Sequence, residues 1–297
     1  MLDTNVLDPA TTPALRHRGF ARMFAPDRLS LGLMLPTTPL VNGVPDMSGQ
    51  LDIAARADEL GFAGLWSRDV PLFDPAFGDA GQVYDPWVWL GALAMRTSRI
   101  ALSTAGIVLP LRHPLHSAKA AASIDALSGG RFVLGAASGD RPVEYPAFDL
   151  DHATRGAAYR EAIEVIRRTT SESYPILSGT WGEVAGLDLL PKAPDLPLMA
   201  IGGAQQSVQW IAEHMDAWVT YPRDLEQQRG RIDLWKAAVA ARAPGVFRPF
   251  AQSLFVDLTD DPDTAPSEIF LGYRLGRRAL IDHLDGLEAM GVNHVAI

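Results

Sequence analysis

The sequence has no cysteine, which excludes disulfides, thiolate nucleophiles and cysteine-ligated zinc or iron–sulfur sites, and fits a reducing compartment. It has no GxGxxG. The first apolar run passes instead into Leu35-Pro-Thr-Thr-Pro39, so the glycine-rich turn of a doubly wound dinucleotide fold is missing. It has no lysine/arginine cluster, and 26 basic against 35 acidic residues leave a net charge of −9. Neither nucleic acid nor an anionic membrane surface is an expected partner of such a chain. Apolar runs such as Ile107–Leu109 are far too short to span a bilayer. The first 25 residues mix Asp3, Asp8, Arg16, His17 and Arg18 with no continuous apolar stretch, so a cytoplasmic setting without a secretory signal is expected. No histidine–carboxylate pair has metal-site spacing, and no metal is expected.

What is present is an alternation of short apolar β-rich runs with longer helical periodicity, the pattern of repeated βα units. Eight strands are predicted: Leu29–Leu35, Gly64–Ser67, Ile100–Gly106, Phe132–Ala136, Leu198–Ile201, Ala217–Thr220, Phe250–Asp257 and His294–Ile297. Each is a continuous apolar run of the kind a parallel sheet buries on both faces. Seven helices lie between them, the first over Leu51–Leu60 and closed by Gly61, the second opened by Pro86. The others run over Leu115–Leu127, Ala157–Thr170, Ser207–His214, Leu225–Ala241 and Arg277–Met290. This count predicts a (β/α)8 TIM barrel, with a doubly wound open sheet as the rival. We read residues 1–28 as an N-terminal extension and 29–297 as one barrel domain. Long Pro/Gly-rich connections at Phe73–Tyr84 and Tyr174–Pro197 are expected over the mouth and at the base respectively. The last strand ends at Ile297 with no helix 8 after it, so either the chain is shortened or another segment or subunit covers that face.

Three strand ends carry candidate chemistry. Ile201-Gly-Gly-Ala-Gln-Gln-Ser207 runs from a strand through two glycines into a helix start. Free N–H groups at the helix start make an anion cradle that Gly202 and Gly203 let a phosphate approach closely, with Ala204 in the turn and the Ser207 hydroxyl as a further donor; a plain tight βα turn is the other reading. After strand 4, Ala137, Ser138 and Gly139 leave room beside a planar ring, and Asp140, Arg141 and Glu144 either order the loop or meet substrate. After strand 2 stands Leu65-Trp-Ser-Arg-Asp-Val-Pro71, in which Arg68 and Asp69 are candidates for substrate binding or for bracing the loop. Trp87 and Trp89 read as core or interface residues, and His113 and His116 as structural.

The segments Thr104-Ala-Gly-Ile-Val-Leu-Pro-Leu-Arg-His-Pro114 and Asp125-Ala-Leu-Ser-Gly-Gly-Arg-Phe-Val-Leu-Gly135 resemble the bacterial luciferase-like oxidoreductase family in residue types and spacing. The likeness extends back to Ala57-Asp-Glu-Leu-Gly-Phe-Ala-Gly-Leu-Trp66 and forward to Gly202–Ser207. It implies an FMN-dependent oxidoreductase, a monooxygenase using reduced flavin and O2 on a small organic substrate, with the flavin reduced by a separate reductase. It further implies a flavin phosphate at Gly202–Ser207, a non-proline cis peptide at Ala105–Gly106 against the flavin, and flavin contacts from Ser138, Gly139, Arg155 and Tyr159. Asp69, Arg68 and Arg141 are the catalytic candidates. Where many relatives have Trp-x-x-Asp/Glu-His, this chain has Val70 in the histidine position, which leaves strand 2 without a general base. The family also implies a homodimer through helices 2 and 3, with close packing at Ala118, Ala121 and Ala122. The alternatives are F420-dependent hydride transfer, a flavin-binding protein without turnover, and an unrelated metal-dependent barrel hydrolase.

Overall fold

The computed structural model describes residues 12–37, 40–41, 44–74, 76 and 83–297. Most of the expected mouth loop at 73–84 therefore lies outside the described residues. Eight parallel strands form the frame: β1 Ser30–Leu35, β2 Gly64–Ser67, β3 Ala101–Thr104, β4 Phe132–Ala137, β5 Leu198–Ile201, β6 Ala217–Thr220, β7 Phe250–Ser253 and β8 His294–Ala296. The order β5-β6-β7-β8-β1-β2-β3-β4 closes on itself through β4–β5 pairing, with Leu134 opposite Leu198 and Ala136 opposite Ala200. This is a closed TIM barrel, and it removes the open edges that a doubly wound sheet would keep.

Seven helices cover the barrel: α1 Gln50–Leu60, α2 Pro86–Arg96, α3 Pro114–Ser128, α4 Arg155–Ser171, α5 Val208–His214, α6 Leu225–Arg242 and α7 Arg277–Met290. Their starts follow from local chemistry. Asp85 accepts from the N–H of Trp87 and Val88, Ser207 from Trp210, and Asp224 from Gln227, which satisfies donors that a helix start leaves open. Gly61, at φ 90°, closes α1 in the left-handed conformation expected of it.

Three features differ from the sequence reading. The run at 250–257 is two strands, broken at buried Leu254: β7 ends at Ser253, and Phe255–Leu258 joins Ser267–Ile269 and Gly272–Leu275 in a separate three-stranded sheet. The run at 100–106 likewise ends at Thr104, and Ile107–Val108 pairs separately with the end of β4. The connection at 174–197 contains a small hairpin, Leu177–Gly179 with Gly182–Val184. Ala118, Ala121 and Ala122, expected to allow close helix packing, are wholly buried within this chain's own core.

The amino-end floor is built partly from residues upstream of β1. A short helix, Arg18–Met23, carries Phe20 and Met23 and leads into Phe24; all three pack against Trp66, Val133 and Met199 inside the barrel. Above them His294 lies fully buried on β8. Its Nε2 accepts from Trp66 Nε1 at 2.9 Å, and its Nδ1 lies 2.7 Å from Ser30 Oγ, which donates to the Met23 carbonyl. Since Nε2 is an acceptor, the proton belongs on Nδ1, and the chain of bonds is complete with a neutral ring. Burial pushes the His294 pKa down to about 3, consistent with that neutral form.

Candidate active site

The carboxyl ends of the strands open into one mouth with two adjoining parts. The polar part, about 400 Å³, runs from Ala105–Gly106 past Ser138–Asp140 to Gly202–Gln205. The apolar part, about 320 Å³, lies over Trp66, Met34 and Val219 and beneath Phe255 of the three-stranded sheet and Phe270 and Leu271 of the turn between its other two strands. Arg68, Ala105, Asp140, Ile201, Gly202, Thr220 and Tyr221 border both. Apolar walls with a few polar groups at one end are what a ligand site requires, and a barrel's carboxyl-end face is where such sites are built.

The close packing beneath the mouth dictates small residues. A Cβ on Gly135 would lie 1.9 Å from the Thr104 carbonyl oxygen, and one on Gly106 would lie 2.9 Å from the Gly135 carbonyl oxygen. Thr104 Oγ1 donates to that same Gly135 oxygen at 2.7 Å, fixing β3 to β4 where the Ala105–Gly106 peptide, which is cis, faces the cavity. Gly202 and Gly203 contrast with these. A Cβ on either meets nothing within 4 Å, although Gly202 has φ 65° and so favours glycine for backbone reasons. Ala204 and Gln205 are also left-handed, at φ 45° and 57°. The turn thus presents backbone without side chains at Gly202 and Gly203 to open space; the Gly202 N–H is given to the Val219 carbonyl at 2.8 Å by strand pairing, which leaves the N–H groups of Gly203 and Ala204 for a phosphate.

The predicted residues separate into those at the mouth and those held elsewhere. Ala105, Gly106, Ser138, Gly139, Gly202, Gly203 and Ala204 all line the polar part, with Arg68 and Arg141. Ser207 lies past the turn, its oxygen accepting from Trp210 N–H at 3.2 Å. Tyr159 is wholly buried and lines neither part. Its hydroxyl lies 3.5 Å from the Ala136 carbonyl and its ring packs on Trp210, and burial pushes its pKa up. Arg155, one turn earlier on α4, does line the polar part; it donates to the His152 carbonyl at 2.8 Å.

The mouth carboxylates are largely committed to protein partners. Asp69 has a fully buried side chain. Arg112 grips both its oxygens, at 2.7 and 3.0 Å, and the Val108 N–H donates to it at 3.0 Å. Arg112 also reaches Asp85 at 3.1 Å; burial works against its charge, but the bonds and charges of Asp69 and Asp85 outweigh that and raise its pKa. Glu144 lies 3.8 Å from Arg141 with both side chains buried, and burial pushes the carboxyl pKa up against the pull of that arginine. Tyr145, pushed up to about 12 by burial, donates to the Ser138 carbonyl and holds that loop. Val70 faces a neighbouring cavity with Pro71 and Leu111. Among the described residues no group of three or more His, Asp or Glu is placed to hold a metal ion.

Sequence reasoning missed His152, Gln205, Thr220, Tyr221, Arg223 and Arg231, all of which line the polar part. The available signal was positional: 220–223 follow a barrel strand at its carboxyl end, where function concentrates.

Residues 23–294 match the luciferase-like monooxygenase family. The chain belongs to that family. An uncharacterized protein of Mycobacterium tuberculosis is 33% identical over 55% of this chain and 63% of its own length. The 4-hydroxyprotoasukamycin monooxygenase of Streptomyces nodosus subsp. asukaensis is 31% identical over 58% and 47%. The F420-dependent hydroxymycolic acid dehydrogenase of M. tuberculosis is 29% identical over 71% and 59%. The matched segments thus span between about half and two thirds of these relatives. Among solved structures, the monooxygenase RslO1 of Streptomyces bottropensis superposes with a TM-score of 0.68 at 26% identity, covering 78% of this chain and 73% of that one. An F420-dependent secondary alcohol dehydrogenase gives 0.73 at 18% identity, covering 91% and 92%, and shares the fold. Family membership is therefore shown over most of the chain, and no helix among the described residues is long and apolar enough to cross a membrane.

Proposed function

We propose that the protein is an FMN-dependent monooxygenase acting on a small, largely apolar organic substrate, with reduced flavin supplied by a separate reductase. The observation that carries this reading is the two-part mouth: a bare-backbone turn at Gly202–Gln205 with open space in front of it, continuous with an apolar chamber on the far side of Ala105–Gly106. The donor set fits FMN. Gly203 and Ala204 would hold the phosphate with the Ser207 hydroxyl, whose proton is still available for donation while its oxygen caps α5, and Gly202, whose N–H is given to the Val219 carbonyl, would supply only room for close approach. Ala105, Gly106, Ser138 and Gly139 would flank the ring. Bound flavin supplies the redox chemistry, and the protein supplies position, a fixed field and a dry chamber.

The chain's own groups suit that division of labour. Asp69 is tied to Arg112 and serves as a brace that sets the β2 and β3 ends, while Arg68, at the border of the two parts, is placed to meet substrate. Trp66 forms the chamber floor and is fixed by its bond to His294. Phe255, Phe270 and Leu271 exclude water from above. The identities to two monooxygenases support oxygen chemistry; the F420-dependent dehydrogenase relative, which matches more of this chain, favours hydride transfer from F420 as the second reading. Titration of the purified protein with FMN and F420, each oxidised and reduced, separates them. Reduced FMN binding with substrate-dependent product formation under O2 supports the monooxygenase. Tight F420 binding with O2-independent turnover would replace it with the dehydrogenase.

A further inference from the structure

The chain carries a net charge of −9, yet the polar part of the mouth is lined by five arginines against three carboxylates, one of which, Asp69, is spent on Arg112. Two of the five stand apart. Arg223 follows β6 and is exposed, and Arg231 lies two turns into α6 and is half-buried. Among the described residues neither forms an ion pair. The neighbouring carboxylate Asp224 instead caps α6 by accepting from Gln227 N–H at 2.9 Å. Arg231 is held with its guanidinium 5.5 Å from the centre of the Trp218 ring, and Trp218 Nε1 donates to the Gly202 carbonyl at 2.7 Å. A stacked cation and the glycine turn are thereby locked together. Burial lowers the Arg231 pKa, and the nearby charge of Arg223 lowers it further. Two like charges kept together in a cavity, without a carboxylate between them, are stabilised when an anion arrives.

We propose that Arg223 and Arg231 form a second anion subsite beside the Gly202–Gln205 turn, which takes a carboxylate or phosphate carried beyond the first phosphate of the bound molecule. The inference rests on the proposed function only for where that first phosphate lies. The acidic group has two possible sources, an acidic extension of the cofactor, as F420 has and FMN lacks, or an acidic substrate. The test is calorimetric titration of the wild type and the Arg223→Ala/Arg231→Ala variant with FMN, F420 and citrate, with thermal melts of each. Citrate binding to the wild type should weaken at least tenfold in the variant and recover in Arg223→Lys/Arg231→Lys. If F420 weakens equally while FMN stays within threefold, the source is the cofactor. If F420 is unchanged while citrate still binds the FMN-loaded wild type and not the FMN-loaded variant, the source is substrate. Equal citrate binding by both proteins, or none by either, overturns the subsite. Loss of citrate binding in a protein that takes neither FMN nor F420 would leave the subsite standing and remove the flavin reading. Should the double variant melt early, Arg223→Glu at the exposed position carries the test, with the same tenfold loss expected.

Discussion

Arg131 at the barrel floor and the Arg223/Arg231 pair at its mouth hold their guanidinium groups in opposite ways. At the floor, Arg131 is 2% exposed and gives its N–H groups to the carbonyls of Ser128, Ile100, Ala94 and Thr97 and to the Thr97 hydroxyl, all within 3.0 Å. At the mouth, Arg223 and Arg231 have no ion-pair partner among the described residues and face a cavity. The floor carboxylate Asp58 repeats the first pattern. Burial pushes its pKa up, but N–H bonds from Ser98, Arg99 and Ile100 and the charge of Arg99 bring it below the ordinary value. Saturated polar groups specify the fold, whereas groups with spare capacity at the carboxyl end are those we propose to meet a ligand.

The sharpest way to break this contrast is Arg131→Ala. It orphans several buried carbonyls at once and should cost about 4 kcal/mol, each unsatisfied group being worth roughly 1–3 kcal/mol. Urea denaturation measures it, and a loss under about 1 kcal/mol would mean the floor network is dispensable. Asp69→Asn follows. It removes one partner of a mostly buried ion pair and should cost about 2–3 kcal/mol, less than a fully buried pair because Arg112 is 22% exposed. Lost turnover with unchanged stability would instead make Asp69 a catalytic group.

His294 is expected to make the floor pH-sensitive. Its folded pKa of about 3 lies below the ordinary 6.5, so the unfolded chain binds the extra proton first. Its contribution is complete above pH 6.5 and falls with decreasing pH by up to about 1.4 kcal/mol per unit. His294→Gln should flatten the stability profile between pH 6.5 and 4.5, and an unchanged slope would show that the ring is not held neutral. The smallest effect is that of Ser207→Ala, a lost helix cap worth about 1 kcal/mol. If the hydroxyl also donates to phosphate, FMN affinity should fall about tenfold alongside; a stability loss alone would confine Ser207 to capping.

The barrel was legible in the sequence because a parallel strand buried on both faces is a continuous apolar run, and helix-end residues such as Pro86 and Gly61 are local signals. The same rule misled at 250–257, where apolar continuity hid the break at Leu254 and with it the sheet that roofs the apolar chamber. Arg155 and Tyr159 share a helix face by spacing, yet one turn decides between the cavity edge and the barrel wall. Asp69 and Arg112 lie 43 positions apart, so nothing near Asp69 in the chain shows that its oxygens are taken. Arg223 and Arg231 belong to no motif, and only the closed barrel brings them beside Gly202.

On the proposed function, Gly202 and Gly203 of the Gly202–Gln205 turn lack side chains because a phosphate occupies the space before it. Gly203→Leu tests it most directly, since a side chain there meets no protein atom within 4 Å of its Cβ and a positive φ does not restrict the position. The account predicts a melting temperature within about 2 °C of wild type, a shift worth under 1 kcal/mol for a chain of this size, together with loss of FMN binding by at least a hundredfold. A folded Gly203→Leu protein that binds FMN as the wild type does would contradict it.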